Sequence, residues 1–118
     1  MATTYRVNDA GVAKARQMID SRQYDTTTPW SDALPGADEE NAKIERDGYE
    51  GYGEWHLAID VGASEGTKDR YGFPFGDFRR VNRDGLVSAK QRAAQNGHGE
   101  VEQAASDLLD HLDSTAAH

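Results

Sequence analysis

Most of the side chains able to do chemistry fall between Trp55 and His98. His56 and Asp60 stand four residues apart, a spacing that brings an imidazole and a carboxylate together on one turn of helix. Glu54 or His98 would then complete a metal site. Zinc needs such groups converging at about 2.0 to 2.2 Å, and Glu-x-His is not a recognised ligand spacing; the ordinary alternative is a hydrogen-bonded or exposed pair. Asp77 follows Gly76 at what reads as the head of a long helix, where a carboxylate caps free backbone N–H groups. Its other reading is general-base work, with Arg80 or Arg83 holding an anionic substrate. A carboxylate already engaged as a cap makes a poor base. Asn82 falls inside the apolar arc of the same helix and Arg92 at its edge, so both need polar partners if buried. The alternative is a pocket under Trp55 and Tyr71 that uses Asp77, Asn82, Arg92, His56 and His98; Tyr71 and Phe75 also belong to the aromatic corner. Arg79, Arg80, Arg83 and Lys90 make a basic stripe that suits an acidic partner or a phosphate, or else is neutralised by the chain's own acids.

The elements that must position these groups read as helices. Asn8 or Asp9 caps a first helix in which Val12, Ala15, Met18, Ile19 and Arg22 recur at three-and-four spacing. Thr, Pro, Ser, Asp and Gly make residues 25 to 37 a loop, pinned by Trp30 and Leu34. A second helix starts near Ala37, with Asp38, Glu39 and Glu40 complementing its dipole, and ends at Gly48. Tyr52, Trp55 and Ile59 share a face if about 52 to 60 is helical, against the cost of Gly51 and Gly53. Ser64 restarts a turn or two, and Pro74 forces a break at Phe73. From Asp77 to about Gln95 one amphipathic helix carries Phe78, Val81, Leu86, Ala89 and Ala93 inward. "NGHG" stops it, and a last helix buries Val101, Ala104, Ala105, Leu108 and Leu112. Four residues between two amphipathic helices imply an antiparallel hairpin. Strand signals are nearly absent and no internal repeat is visible. The expected fold is therefore a mostly α, single-domain bundle of about four to five helices over residues 1–118, with ends fraying over about 1–7 and 114–118.

Composition narrows the classes of function. At 118 residues the chain has the size of one domain, and its hydrophobic fraction of 36% leaves an economical core. Thirteen Lys and Arg against 21 Asp and Glu give a net charge of -8, which works against general binding of nucleic acid or anionic membrane. Without cysteine there is neither disulfide nor thiolate metal site, and nothing argues for secretion. No signal peptide or membrane span is visible, so a cytoplasmic protein is expected. The phosphate-cradling loop, the Gly-x-Ser-x-Gly elbow and His-Glu-x-x-His are all missing.

The block Tyr71 to Phe78, with Trp55, His56 and Leu57 before it and Arg92, Ala93, Ala94, His98 and Val101 after it, resembles a group of small, uncharacterised actinobacterial proteins. These carry a Tyr-x-Phe-x-aromatic-Gly-Asp-Phe block, an arginine-rich amphipathic helix and an Ala-Ala-x-x-Leu-Leu terminal helix. The likeness covers about residues 8 to 113. Asn82 stands where many members have histidine, and glycines precede Trp55 where others have helix formers. The resemblance implies architecture and a bacterial origin, with no activity, cofactor or metal attached.

Taken together, the residues favour a non-catalytic protein-interaction or regulatory module, whose contact surface is the aromatic corner and the basic face of the 77 to 95 helix. The alternatives are a small-molecule binder or unfamiliar enzyme around Asn82, Arg92 and His56, and nucleic-acid binding through the stripe.

Overall fold

In the computed structural model, which describes residues 4–117, strands and helices interleave from the start. They are Tyr5–Val7 (β1), Asp9–Asp20 (α1), Tyr24–Asp25 (β2), Trp30–Ala33 (α2), Ala37–Gly53 (α3), His56–Asp60 (β3), a 3₁₀ turn at Lys68–Arg70, Tyr71–Pro74 (β4), Val81–Asn82 (β5), Arg83–Gln95 (α4) and Gly99–Ala116 (α5). The described residues are mostly helical, with five helices among them, and α4 and α5 pack as an antiparallel hairpin: Arg83 at the head of one meets Asp113 at the foot of the other. The hairpin turns on a closed carboxy-terminal cap, in which His98 N–H donates to the Ala93 carbonyl at 2.8 Å and Gly97, at φ 73°, takes the left-handed geometry this cap needs.

A small antiparallel sheet, in the order β1-β3-β4, lies beside the helices, and β2 and β5 pair in parallel over two residues. One hydrophobic core joins the parts: Ala15, Met18 and Ile19 of α1, Leu57 and Ala58 of β3, Leu86 and Ala93 of α4, and Val101, Leu108 and Leu112 of α5. Full burial of side chains such as Leu57, Phe75, Leu86 and Leu108 contributes about 1.5 to 3 kcal/mol each. At the crossing of α1 over β3 the backbones nearly touch, since a Cβ on Gly11 would lie 1.9 Å from the His56 carbonyl oxygen. Asn8 occupies the expected cap position, but its side chain makes no cap bond. Its Nδ2 instead donates to the carbonyls of Gly53 at 2.9 Å and His56 at 3.0 Å, riveting α1 to the start of β3.

Several expectations are corrected. The helix expected over about 52 to 60 is split: α3 ends at Gly53, and His56–Asp60 is the central strand. Residues 55 to 59 form a short run whose neighbours on the sheet bury nearly every side chain, and such a run fits either period. Gly48 does break the helix that starts at Ala37, at φ 74°, but helical geometry resumes beyond the kink and runs to Gly53, so α3 is two helical stretches. The long helix begins at Arg83 rather than Asp77, because residues 77 to 80 close a turn and Val81–Asn82 pairs with β2. Residues 25 to 37 include the single turn α2, and the turn expected after Ser64 forms only at Lys68–Arg70. Arg22 lies beyond α1, exposed, at φ 59°. Instead of fraying, Tyr5–Val7 is an edge strand and α5 continues to Ala116; the fraying expected at residues 1–3 and 118 lies outside the described residues.

Candidate functional site

The aromatic block folds around Trp55. Phe75 stacks on its indole with ring centroids 5.7 Å apart, and Phe78 meets it edge-on at 5.9 Å. Phe75 N–H donates to the Trp55 carbonyl and Asn82 N–H to the Phe75 carbonyl, so the block is laced to both β3 and β5. Two of its residues, Phe73 at φ 61° and Phe78 at φ 70°, hold left-handed backbone. That geometry costs an L-residue about 1 to 2 kcal/mol, and the packing of the two rings offsets it. Asp77 accepts from the N–H of Arg79 at 2.9 Å and of Arg80 at 2.8 Å, and its own N–H donates back to the Arg80 carbonyl. The carboxylate thus caps a turn, not the long helix. Asn82 caps α4 instead, accepting from Gly85 N–H at 2.8 Å while Nδ2 donates to the Thr28 carbonyl at 3.0 Å. Its burial is fully compensated on both sides, as a buried amide requires.

His56 is buried against the rings of Tyr52, at 4.6 Å, and Tyr71, at 5.8 Å. Its Nδ1–H donates to the Tyr52 carbonyl at 3.0 Å, and burial pushes its pKa down to about 4, so the imidazole is neutral at pH 7. Beside it, Tyr52 donates its hydroxyl to Glu40, which also receives Lys68; burial and then Glu40 push the phenol well above its ordinary range. Asp60, expected to pair with His56, lies four residues along a strand, about 13 Å away at the strand rise, and accepts from Gly62 N–H. His98 belongs to a different cluster: it meets Tyr5 edge-on at 5.0 Å and Phe73 at 6.0 Å, with the Arg92 guanidinium 5.5 Å from the same Phe73 ring. Arg92 is exposed and makes no ion pair among the described residues. The structure therefore brings His98 and Arg92 to one ring, Phe73, while His56, Asp77 and Asn82 are each engaged with other partners. Among the described residues no three His, Asp or Glu side chains form a group able to hold a metal ion.

Half of the basic stripe is neutralised inside the molecule. Arg83 grips Asp113 through both carboxylate oxygens, at 2.7 and 3.0 Å, which holds that carboxyl below its usual range. Arg80 lies 3.7 Å from Asp25, whose carboxyl is held well below the usual range by hydrogen bonds from Thr28 and Thr27. Arg79 and Lys90 are exposed and, among the described residues, in no ion pair. Arg79 stands on a ridge between two grooves. One, of about 200 Å³, runs between Glu39, Ala42, Lys43 and Arg46 of α3 and Asp77 and Phe78 of the turn; the other, of about 250 Å³, shares Glu39 and Asp77 and adds Asp25, Asp32 and Arg80. Sequence reasoning passed over Lys43 and Arg46, although their three-residue spacing on a helix already set them on one face. It also passed over Tyr5 and Tyr52, whose roles come from contacts distant in sequence. One buried side-chain atom among the described residues, Trp55 Nε1, has no hydrogen-bond partner.

No family model matches this chain, and no curated protein and no solved structure is significantly similar to it. Among the described residues no helix is long and apolar enough to cross a membrane.

Proposed function

We propose that the chain is a non-catalytic protein-interaction or regulatory module whose contact surface is the groove between α3 and the Phe78–Arg80 turn. The observation that carries this reading is Arg79: an exposed guanidinium in no ion pair, raised beside half-buried Phe78 on a turn that Asp77 holds closed. The backbone next to it is left-handed at Phe78, a geometry that a non-glycine residue adopts at a cost and that recurs at functional surfaces. Arginine and aromatic side chains are the commonest anchors of interfaces. The partner that suits the groove is a protein segment offering a carboxylate to Arg79 and an apolar side chain to Phe78. Arg80 and Arg83, already paired to Asp25 and Asp113, are outside the contact. The same proposal keeps the protein in the cytoplasm, on the strength of its cysteine-free composition.

The test is a pull-down from the native host with wild type, Arg79→Ala and the double variant Arg80→Ala/Arg83→Ala, each checked for folding by circular dichroism. A specific partner should be lost with the first variant and kept by the second. Identical partner lists for wild type and Arg79→Ala would remove this surface from consideration.

A further inference from the structure

Strand β1 has one unpaired side. The Thr4 carbonyl accepts from Val61 N–H at 3.1 Å, Asn8 N–H donates to the Leu57 carbonyl at 2.8 Å, and the register sets Arg6 opposite Ile59. Thr4, Arg6 and Asn8 therefore turn their backbone groups toward β3. In an antiparallel ladder the hydrogen-bonded and non-hydrogen-bonded pairs alternate, so the N–H and C=O of Tyr5 and Val7 point away from the sheet. Among the described residues they meet no partner. The other edge of the sheet is closed to pairing: Pro74 has no N–H, and Phe73 at φ 61° breaks the extended line of β4. Alongside β1 lies a cleft of about 310 Å³ between Thr4 and Tyr5 on one side and His98, Glu100 and Val101 on the other.

We infer that the β1 edge accepts an extended segment of another protein as a fourth strand, with an acidic residue facing Arg6 and a neighbouring side chain entering the cleft by His98. Free donors and acceptors at two-residue spacing are matched in register by another extended backbone, which replaces the water on them. Charge selects the occupant. Arg6 is exposed and in no ion pair among the described residues, so an acid opposite it is favourable. A second copy pairing antiparallel about Arg6 would set two arginines face to face, between molecules each carrying -8. This surface is separate from the Arg79 groove and stands or falls without it.

The test exploits the one-sidedness of the edge. Val7→Pro removes an outward N–H and no bond to β3, and Arg6→Glu reverses the charge without touching the backbone. A phage-displayed library of random twelve-residue peptides is selected on the immobilised full chain, and the enriched peptides are synthesised and titrated by calorimetry. The expected result is a recurrent acid among β-branched residues, with affinity at least about tenfold weaker for Val7→Pro and for Arg6→Glu and unchanged for Arg79→Ala, a loss of about 1.4 kcal/mol or more. If Val7→Pro fails to fold, Arg6→Glu carries the comparison. Failure to enrich any peptide, or equal binding by wild type and Arg6→Glu, would overturn the inference, as would slow hydrogen exchange at Tyr5 and Val7 in the free protein. A dimer seen in sedimentation and abolished by Val7→Pro would overturn the choice of a foreign strand.

Discussion

His56 is neutral because burial among the rings of Tyr52 and Tyr71 strips the charged form of its hydration, and this outweighs the pull of the Tyr52 and Gly53 carbonyls and of Glu40 toward a second proton. Its pKa falls from an unfolded value of 6.5 to about 4 in the folded chain. Between those values the unfolded chain binds a proton that the folded chain refuses, so stability is complete above pH 6.5 and declines as pH falls toward 4. The whole decline is on the order of 3 kcal/mol. Carboxylates such as Asp113, held low by Arg83, lose their contribution only at more acid pH, which leaves pH 6.5 to 5 as the window that isolates the histidine. In that window the urea midpoint of wild type should fall, while that of His56→Phe, lower at pH 7 for want of the Nδ1–H bond, should stay nearly level. Parallel slopes for the two proteins would refute the assignment. The sequence flagged His56 but paired it with Asp60, since an i, i+4 spacing has meaning only once the element is known. At Asn82 the sequence asked for polar partners on the ground of a helical arc; the residue instead stands in β5 and caps α4, where Gly85 and Thr28 are its partners.

Among the elements, α1 and β3 approach closely, and the approach depends on the absence of one methyl group. A Cβ at Gly11 would meet the His56 carbonyl oxygen at 1.9 Å, so Gly11→Ala must push the helix off the strand and stretch both Asn8 bonds. Overpacking of this kind costs about 1 to 3 kcal/mol, and a strained rivet adds to it; a loss near the top of that range in chemical denaturation is expected. Gly99→Ala, whose Cβ would meet nothing within 4 Å, is the control and should change little. A Gly11→Ala protein as stable as wild type would mean that α1 does not bear directly on β3. Helices α1 and α5 were legible because each has an independent apolar stripe at helical period: Ala15, Met18 and Ile19 in one, Val101, Ala105, Leu108 and Leu112 in the other. Strand β3 was not, because Trp55 to Ala58 are buried without a break and so show no alternation. The start of α4 was hidden for a different reason: Phe78 and Val81 do face the core, but from a turn and a two-residue strand rather than a helix.

At the scale of the whole molecule, sheet and hairpin share their interior, and the sequence hinted at only half of that arrangement. Mean composition announced a lean, helical chain; the pairing of β1 with β3, more than fifty residues apart, leaves no local signature. The consequence is cooperative. Leu57 and Ala58 of the sheet lie in the same cluster as Leu86, Leu108 and Leu112 of the hairpin, and His111 and Arg22 tie α5 to the end of α1 from outside. Neither half can open without exposing the other's apolar surface, so unfolding should be a single transition. Trp55 reports the sheet side directly, sitting between Phe75 and Phe78, once Trp30→Phe removes the second indole, which packs on Gly85 of α4. In that variant the urea curve from Trp55 fluorescence, reading the aromatic block, should superimpose on the curve from far-ultraviolet circular dichroism, dominated by α1, α3, α4 and α5. If the fluorescence change came at lower urea than the loss of helix, the aromatic block would be an independently melting cap on a stable hairpin, and the shared core would not bind the two halves together.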